Sequence, residues 1–115
     1  MPRDTGYLWD ILNACQLILE FVRGMSREEF DQDIRTQDAV VRRIEIIGEA
    51  VRRLSEPYRA THPHIAWAEI VGMRNRLIHE YDVIDLDIVW GVVQHDIPVL
   101  AAQIEELLKP PEDQE

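Results

Sequence analysis

The stretch TQDAVVRRIEIIGEAVRRL, residues 36–54, decides the fold class of this 115-residue chain. Its apolar residues recur at the three-and-four spacing that places them on one side of a helix. They are Val40, Ile44, Ile47, Val51 and Leu54. Thr36 is placed to cap this helix, and Glu56-Pro57 is a signal for its end. The stretch therefore predicts an amphipathic helix with one face in a hydrophobic core.

Charged residues occupy the opposite side of the same helix. Arg42, Glu45, Glu49 and Arg53 recur at the same spacing. One explanation is a solvated face of ion pairs, each worth only a few tenths of a kcal/mol; the other is a stripe that faces RNA. Gly48 costs roughly 1 kcal/mol inside a helix relative to alanine, which indicates close approach of another helix.

The rest of the chain repeats the helical pattern. We expect a first helix over residues 7–22, ended by Gly24, and then a short helix capped by Ser26 with Glu29 in its capping box. We expect a loop over 58–65 and a third helix from about Trp67. A fourth helix should be capped by Asp85 and interrupted by Pro98. No segment alternates as a half-buried strand does. The sequence predicts an all-α fold, a bundle of four main helices, with one domain over residues 1–110 and a frayed acidic tail at 111–115.

Composition limits the function classes. The net charge of −10 argues against a protein that coats nucleic acid through phosphate neutralisation. Eight of the twelve basic residues nevertheless lie in residues 35–76, so an RNA partner would bind there. No apolar run approaches the ~20 residues of a membrane span and Met1 to Asp4 lead straight into an amphipathic pattern, which predicts a cytoplasmic protein.

Cysteine and histidine usage predicts neither a disulfide scaffold nor a metal site. Cys15 has no second thiol to pair with and is surrounded in sequence by apolar residues, so we expect it in the core. His62 and His64 have no acidic or cysteine partner nearby. We expect no cofactor.

The stretch GMRNRLIHEY, residues 72–81, concentrates side chains that can do chemistry. Arg74 lies four residues after Ile70 and four before Ile78, on the apolar stripe of the third helix. A guanidinium there needs a partner or a water-filled cleft, because an isolated buried charge is very costly.

Helical geometry separates the two best candidates for chemistry. In a continuous helix, Tyr81 lies within about 20° of Arg74, whereas His79 lies about 140° away. Asn75, four residues before His79, can support its imidazole. Arg74 and His79 can therefore act on one substrate only if the helix breaks between them or if a two-fold axis brings together the copies from two subunits.

These residues are chemically sufficient for RNA cleavage. A neutral His79 can take the proton of a 2′-hydroxyl, and its protonated form can give one to the leaving 5′-oxygen. Arg74 can donate to phosphate oxygens where negative charge builds up, and no metal is required. The competing explanation is that both residues only make ion pairs, with Glu80, Asp82 or Asp85.

The pattern Arg74-Asn75-x3-His79-Glu80-Tyr81 resembles the Arg-x4-His-x-Tyr motif of HepT-like toxins in the HEPN superfamily. Further blocks resemble that family in the same order, and the resemblance covers most of residues 4–108. They are IIGEA at 46–50, HIAW at 64–67, IVGM at 70–73, VW at 89–90 and DIPVL at 96–100. One departure is Ala66, where the family pattern has proline, which affects the rigidity of the loop and leaves the chemistry intact.

The resemblance implies a homodimeric endoribonuclease toxin with Arg74 and His79 as catalytic residues in an intersubunit cleft. It also implies an MntA-like nucleotidyltransferase antitoxin that silences the toxin by adding AMP to Tyr81. Two other hypotheses stay open at this point. One is a non-catalytic helical module that binds a nucleotide or a nucleotidyltransferase, and the other is an interaction domain whose Arg74 and His79 make interface ion pairs.

Overall fold

The computed structural model describes residues 2–78 and 83–110, which form eight α-helices and one π-helical turn. The helices are α1 (Pro2–Phe21), α2 (Arg27–Asp31), α3 (Ile34–Arg53), α4 (Glu56–Ala60), α5 (Trp67–Val71), α6 (Met73–Leu77), α7 (Leu86–Gly91) and α8 (Ile97–Leu108), and the π-helical turn spans Val92–Asp96. Within these ranges there is no strand, and an isolated antiparallel bridge joins Ile78 to Ile84. The predicted all-α class is confirmed.

The two longest helices form the centre of the bundle. α1 and α3, of twenty residues each, pack against one another. α8 packs on α1, while α5 and α6 pack on α3. The predicted stripe of α3 is buried. It shares one core cluster with Ile11, Cys15 and Ile18 of α1, with Val93 of the π-helical turn and with Ile97 and Ile104 of α8. Each large aliphatic side chain buried in this way contributes about 1.5–3 kcal/mol to folding.

Several predicted caps are confirmed and one is wrong. Ser26 and Glu29 form the full capping box of α2, Gly24 takes the left-handed conformation (φ 74°), and the Asp85 carboxylate caps α7. The cap of α3 is Asp33 and not Thr36: an oxygen of Asp33 accepts from the backbone N–H of Thr36 at 3.0 Å. The Asp33 carboxylate, three residues before Thr36, accepts from the Thr36 N–H, which has no partner within the helix. The helix therefore begins before Thr36.

One proline position differs from the sequence-based prediction, and another agrees with it. The segment 58–65 is not all loop, because α4 begins at Glu56, with Pro57 in its first turn and Ser55 as its cap. Proline suits that position, since the first N–H groups of a helix have no partner within it. Pro98 interrupts the last helix as predicted, and the interruption takes the form of the π-helical turn Val92–Asp96 directly before α8. The wider turn accommodates the missing N–H without ending the helix.

Gly48 marks the contact between α3 and α5. A β-carbon built on Gly48 would lie 3.5 Å from the carbonyl oxygen of Val71 and 3.8 Å from that of Ile70. The close approach that the sequence indicates is therefore present, and its neighbour is the C-terminal end of α5. This contact places α5, and with it α6, beside the middle of α3.

A buried carboxylate joins the first turn of α1 to the junction between α3 and α4. Asp4 is only 3% exposed, and its two oxygens accept hydrogen bonds from the backbone N–H of Ser55 (2.9 Å) and from its hydroxyl (2.8 Å). The Ser55 hydroxyl oxygen also accepts from the N–H of Tyr58. The hydrogen bonds from the Ser55 backbone and side chain lower the pKa of Asp4, although burial acts in the opposite direction.

Cys15 is fully buried, and burial raises the pKa of its thiol to about 12, as expected for a core thiol. None of the helices in residues 2–78 and 83–110 is long and apolar enough to cross a membrane. The predicted tail at 111–115 lies outside the described residues.

Replacing Asp4 by alanine should lower the free energy of unfolding by about 1–3 kcal/mol, because the Ser55 N–H is left without its acceptor. Since the folded-state pKa of Asp4 is depressed, its stabilisation is complete above the unfolded pKa and is lost as pH falls through the folded pKa. Urea unfolding of wild type and Asp4→Asn over a pH series below neutrality measures this: the difference between them should shrink in acid.

The matched control is Asp10→Ala, which removes an exposed carboxylate from the same helix. If Asp4→Ala unfolds at the same urea concentration as Asp10→Ala, the buried carboxylate does not join these helices in the way described.

Candidate active site

Arg74 lies in the first turn of α6, directly after a break in the predicted third helix. The break is at Gly72, the C-cap of α5 and the N-cap of α6 (φ −83°, ψ 0°). Asn75 N–H donates to the Gly72 carbonyl at 3.0 Å, which tightens the turn. Because α6 restarts here, Met73 and Leu77 face the core and Arg74 is exposed. The prediction that Arg74 lies on the core-facing stripe is therefore wrong.

The Arg74 guanidinium has a carboxylate partner on α3. Its Nε donates to Oε2 of Glu45 on α3 at 2.5 Å, and the two side chains are 45% and 31% exposed. The other carboxylate oxygen of Glu45 lies 3.5 Å from Nη1 of Arg42, one turn earlier on α3. Glu45 thus joins two guanidinium groups at the surface, where they are accessible to an anion.

α6 ends before the predicted catalytic histidine. Leu77 is its last residue, and Ile78 is extended (φ −96°, ψ 125°) and forms the bridge with Ile84. The N–H of Asp85 donates to the Leu77 carbonyl at 2.7 Å, which ties the chain beyond the segment 79–82 back to α6. The helix therefore breaks between Arg74 and His79. In consequence, neither the separation of about 140° between His79 and Arg74 nor that of about 20° between Tyr81 and Arg74, both derived for a continuous helix, applies.

His79 and Tyr81 themselves lie outside the described residues. Whether Asn75 supports the His79 imidazole therefore stays a prediction. Asn75 itself is exposed on α6. Arg76, two residues after Arg74, pairs with Asp96 of the π-helical turn at 3.2 Å. The two arginines of α6 thus have different carboxylate partners on different helical segments.

The charged residues on the exposed face of α3 form ion pairs, as the explanation of a solvated, ion-paired face predicts. Besides the Arg42 pair, Glu49 lies 3.4 Å from Arg52 and 3.2 Å from Arg53. These pairs are largely exposed, so each stabilises the fold by about 0–1 kcal/mol at most. Weakly held guanidinium groups stay available to phosphate, and the second explanation is left open.

The loop before α5 is held by the tryptophan at its end. The indole Nε1–H of Trp67 donates to the carbonyls of His62 (3.0 Å) and Arg59 (3.2 Å), and Trp67 is 8% exposed. His62 packs on Tyr58, and its Nδ1 lies 2.9 Å from the Tyr58 carbonyl. This anchoring fixes the entry to α5 although Ala66, the N-cap, makes no side-chain cap.

A groove of about 350 Å³ lies beside α6, between α5 and α8. Its floor is apolar, with Ile70, Met73 and Leu100, while Arg76 and Asp96 are at its margin. His64 and His95 also line it. Among residues 2–78 and 83–110 there is no group of three or more His, Cys, Asp or Glu side chains that could hold a metal ion.

Sequence reasoning missed the role of Glu45. It placed this residue only in the ion-paired face of α3, because the partner on α6 depends on the break at Gly72, which periodicity does not reveal. The sequence contains one usable signal: Glu45 lies one turn before Gly48, where the sequence indicates a close helix contact.

Comparison with known proteins gives one family and several relatives. The model of the family described as "HepT-like: Ribonuclease HepT-like" matches residues 11–107. "Putative RNase TTE0752" of Caldanaerobacter subterraneus subsp. tengcongensis is 43% identical over 95% of this chain and 97% of its own. "Probable ribonuclease HepT" of Thermococcus cleftensis is 44% identical over 90% of this chain and 94% of its own. No solved structure matches the chain.

Proposed function

Because the chain belongs to the family of HepT-like ribonucleases, we propose that it is a metal-independent endoribonuclease with Arg74 and His79 as catalytic residues. The observation that carries the proposal is the exposed Arg74 guanidinium, held by Glu45 at the start of a five-residue helix. The exposed guanidinium is accessible to an anionic substrate, and relatives that cover nearly the whole chain are named as ribonucleases.

The reaction needs a proton acceptor, a proton donor and a group that stabilises charge on phosphate. His79 takes the proton of the 2′-hydroxyl, whose oxygen attacks the neighbouring phosphorus. The bond from phosphorus to the 5′-oxygen breaks, and that oxygen takes a proton from the imidazolium form of His79. The products are a 2′,3′-cyclic phosphate and a 5′-hydroxyl end. Arg74 donates to the non-bridging oxygens, where negative charge builds up in the transition state.

RNA binding by an acidic protein needs locally concentrated positive charge. Arg42 and Arg74 meet at Glu45, and Arg52 and Arg53 continue along the exposed face of α3. With Glu45 and Glu49 included, these six groups carry a net charge of +2 by simple count. This arginine face, defined as Arg42, Arg52, Arg53 and Arg74, binds the RNA backbone.

The enzyme works as a homodimer in this proposal. The break between Arg74 and His79 allows one chain to supply both groups, and the two-fold arrangement allows two chains to supply one each. We favour the intersubunit cleft, which is the arrangement that the resemblance to HepT-like toxins implies.

In the cell the ribonuclease is the toxin of a toxin–antitoxin pair, and its partner is an MntA-like nucleotidyltransferase. The partner silences it by transferring AMP from ATP to the hydroxyl of Tyr81, with release of pyrophosphate. Tyr81 lies seven residues after Arg74. Anionic groups on its hydroxyl would compete with RNA for the Arg74 guanidinium.

Purified wild-type protein should cut RNA in EDTA and leave 2′,3′-cyclic phosphate ends. Arg74→Ala should lower the cleavage rate about 10²–10³-fold, since a transition-state donor is lost. His79→Ala should lower it about 10²–10⁴-fold, since the proton transfer is lost. Electrophoresis of a labelled RNA measures both rates.

Arg23→Ala is the matched control, because Arg23 is an exposed arginine just after the end of α1 and lies outside the arginine face. Its rate should stay within a few-fold of wild type. Unchanged cleavage by His79→Ala, or cleavage that stops in EDTA, contradicts the mechanism. A blank assay together with AMP binding by calorimetry supports the non-catalytic nucleotide-binding module instead.

Mixing two inactive variants tests the intersubunit site. When Arg74→Ala and His79→Ala subunits exchange at random, about half of the dimers are mixed, and one of the two sites in each is intact if the residues come from different chains. About one quarter of wild-type activity should return. If both residues of a site come from the same chain, no activity returns and the intersubunit arrangement is wrong.

Co-expression with an MntA-like nucleotidyltransferase should add AMP to the chain and reduce RNA cleavage. Intact mass spectrometry measures the addition, and Tyr81→Phe should stay unmodified and active because the acceptor hydroxyl is missing. AMP addition to Tyr81→Phe, or full activity of the modified wild type, would show that Tyr81 is not the silencing site.

A further inference from the structure

Glu45 is the better-fixed member of the Glu45–Arg74 pair. It lies in the middle of the twenty-residue helix α3, between Ile44 (1% exposed) and Ile47 (fully buried). Arg74 lies in a helix of five residues, with a cap at Gly72 that uses no side chain. A long, buried helix opens less readily than a single turn. The position of the guanidinium is therefore set by Glu45 more than by its own helix.

The contact uses one particular edge of the guanidinium. Glu45 accepts from Nε, and within residues 2–78 and 83–110 no group accepts from Nη1 or Nη2 of Arg74. A guanidinium has five N–H donors in a fixed fork, so four remain. Two of these, one on each Nη, form the outer edge that binds phosphate in a bidentate manner.

We infer that Glu45 is a positioning residue for the reaction: it holds Arg74 through Nε so that the Nη1–Nη2 edge is presented to the scissile phosphate. This inference rests on the proposed ribonuclease function. Arg42 completes the arrangement, since its Nη1 lies 3.5 Å from the other oxygen of Glu45. The group of two arginines and one carboxylate keeps a net positive charge toward an anionic substrate.

The opposite role for the same contact is an inhibitory one, in which Glu45 competes with phosphate for Arg74. The two roles predict opposite effects. Removal of a positioning carboxylate lowers kcat, because the guanidinium is no longer held in the productive geometry. Removal of an inhibitory carboxylate raises the rate of cleavage.

The test compares Glu45→Ala and Glu45→Gln with the control Glu49→Ala. Glu49 is the next carboxylate on the same face of α3, and it pairs with Arg52 and Arg53. Glu45→Ala should lower kcat about 10²-fold with little change in KM. Glu45→Gln should recover much of the loss, because its amide oxygen still accepts from Nε. Glu49→Ala should keep the kcat of wild type.

A second readout is independent of cleavage. In ¹H–¹⁵N spectra, the Arg74 Nε–H signal, assigned by its loss in Arg74→Lys, should exchange slowly with water in wild type and in Glu49→Ala. The exchange should be fast in Glu45→Ala and intermediate in Glu45→Gln. This signal reports the hydrogen bond whether or not the protein cuts RNA.

The two readouts separate the failure of each proposal. If wild type does not cut RNA, the proposed function fails, whatever the spectra show. If wild type cuts RNA and Arg74→Ala does not, a kcat of Glu45→Ala equal to or above that of wild type overturns the positioning role. Slow exchange of Arg74 Nε–H that persists in Glu45→Ala overturns it as well.

Discussion

The contact between α3 and α5 at Gly48 is the constraint on which the site depends. A glycine there lets the carbonyls of Ile70 and Val71 approach the surface of α3 at van der Waals distance. A β-carbon at residue 48 would be in ordinary van der Waals contact with these carbonyls, whereas a side chain that extends beyond the β-carbon would force α5 outward. Because only Gly72 separates α5 from α6, this approach also sets the position of Arg74 relative to Glu45.

The fold places Arg74, the proposed catalytic arginine, on a short helix and its carboxylate partner Glu45 on a long one. α3 is buried along one face and gives Glu45 a fixed backbone, while α6 restarts after Gly72 and turns Arg74 outward. The neighbouring connections are tied by polar contacts, with Asp4 on Ser55 and the Trp67 indole on the carbonyls of His62 and Arg59. Such supports define the geometry of a surface site without closing it to a polynucleotide.

The sequence predicts the long elements well because periodicity over many residues reports burial. The α3 stripe, the Ser26 capping box and the Asp85 cap are all confirmed. It predicts short segments less well. The sequence does not indicate α4, and it places Arg74 on the core-facing stripe because the break at Gly72 has no periodic signal. Glu45 was seen only as part of a charged face, since its partner is 29 residues away and is set by tertiary packing.

The central claim is that two chains bring one guanidinium, held by Glu45, and one imidazole to the same phosphodiester. A crystal structure of the protein with an RNA that lacks the 2′-hydroxyl at the cleavage position tests it most directly. In that structure, we expect the scissile phosphate to accept hydrogen bonds from Nη1 and Nη2 of Arg74, while Glu45 accepts from Nε. The His79 imidazole of the other chain should lie near the missing hydroxyl. RNA bound away from Arg74, or His79 enclosed by a carboxylate in a site that no phosphate reaches, would contradict it.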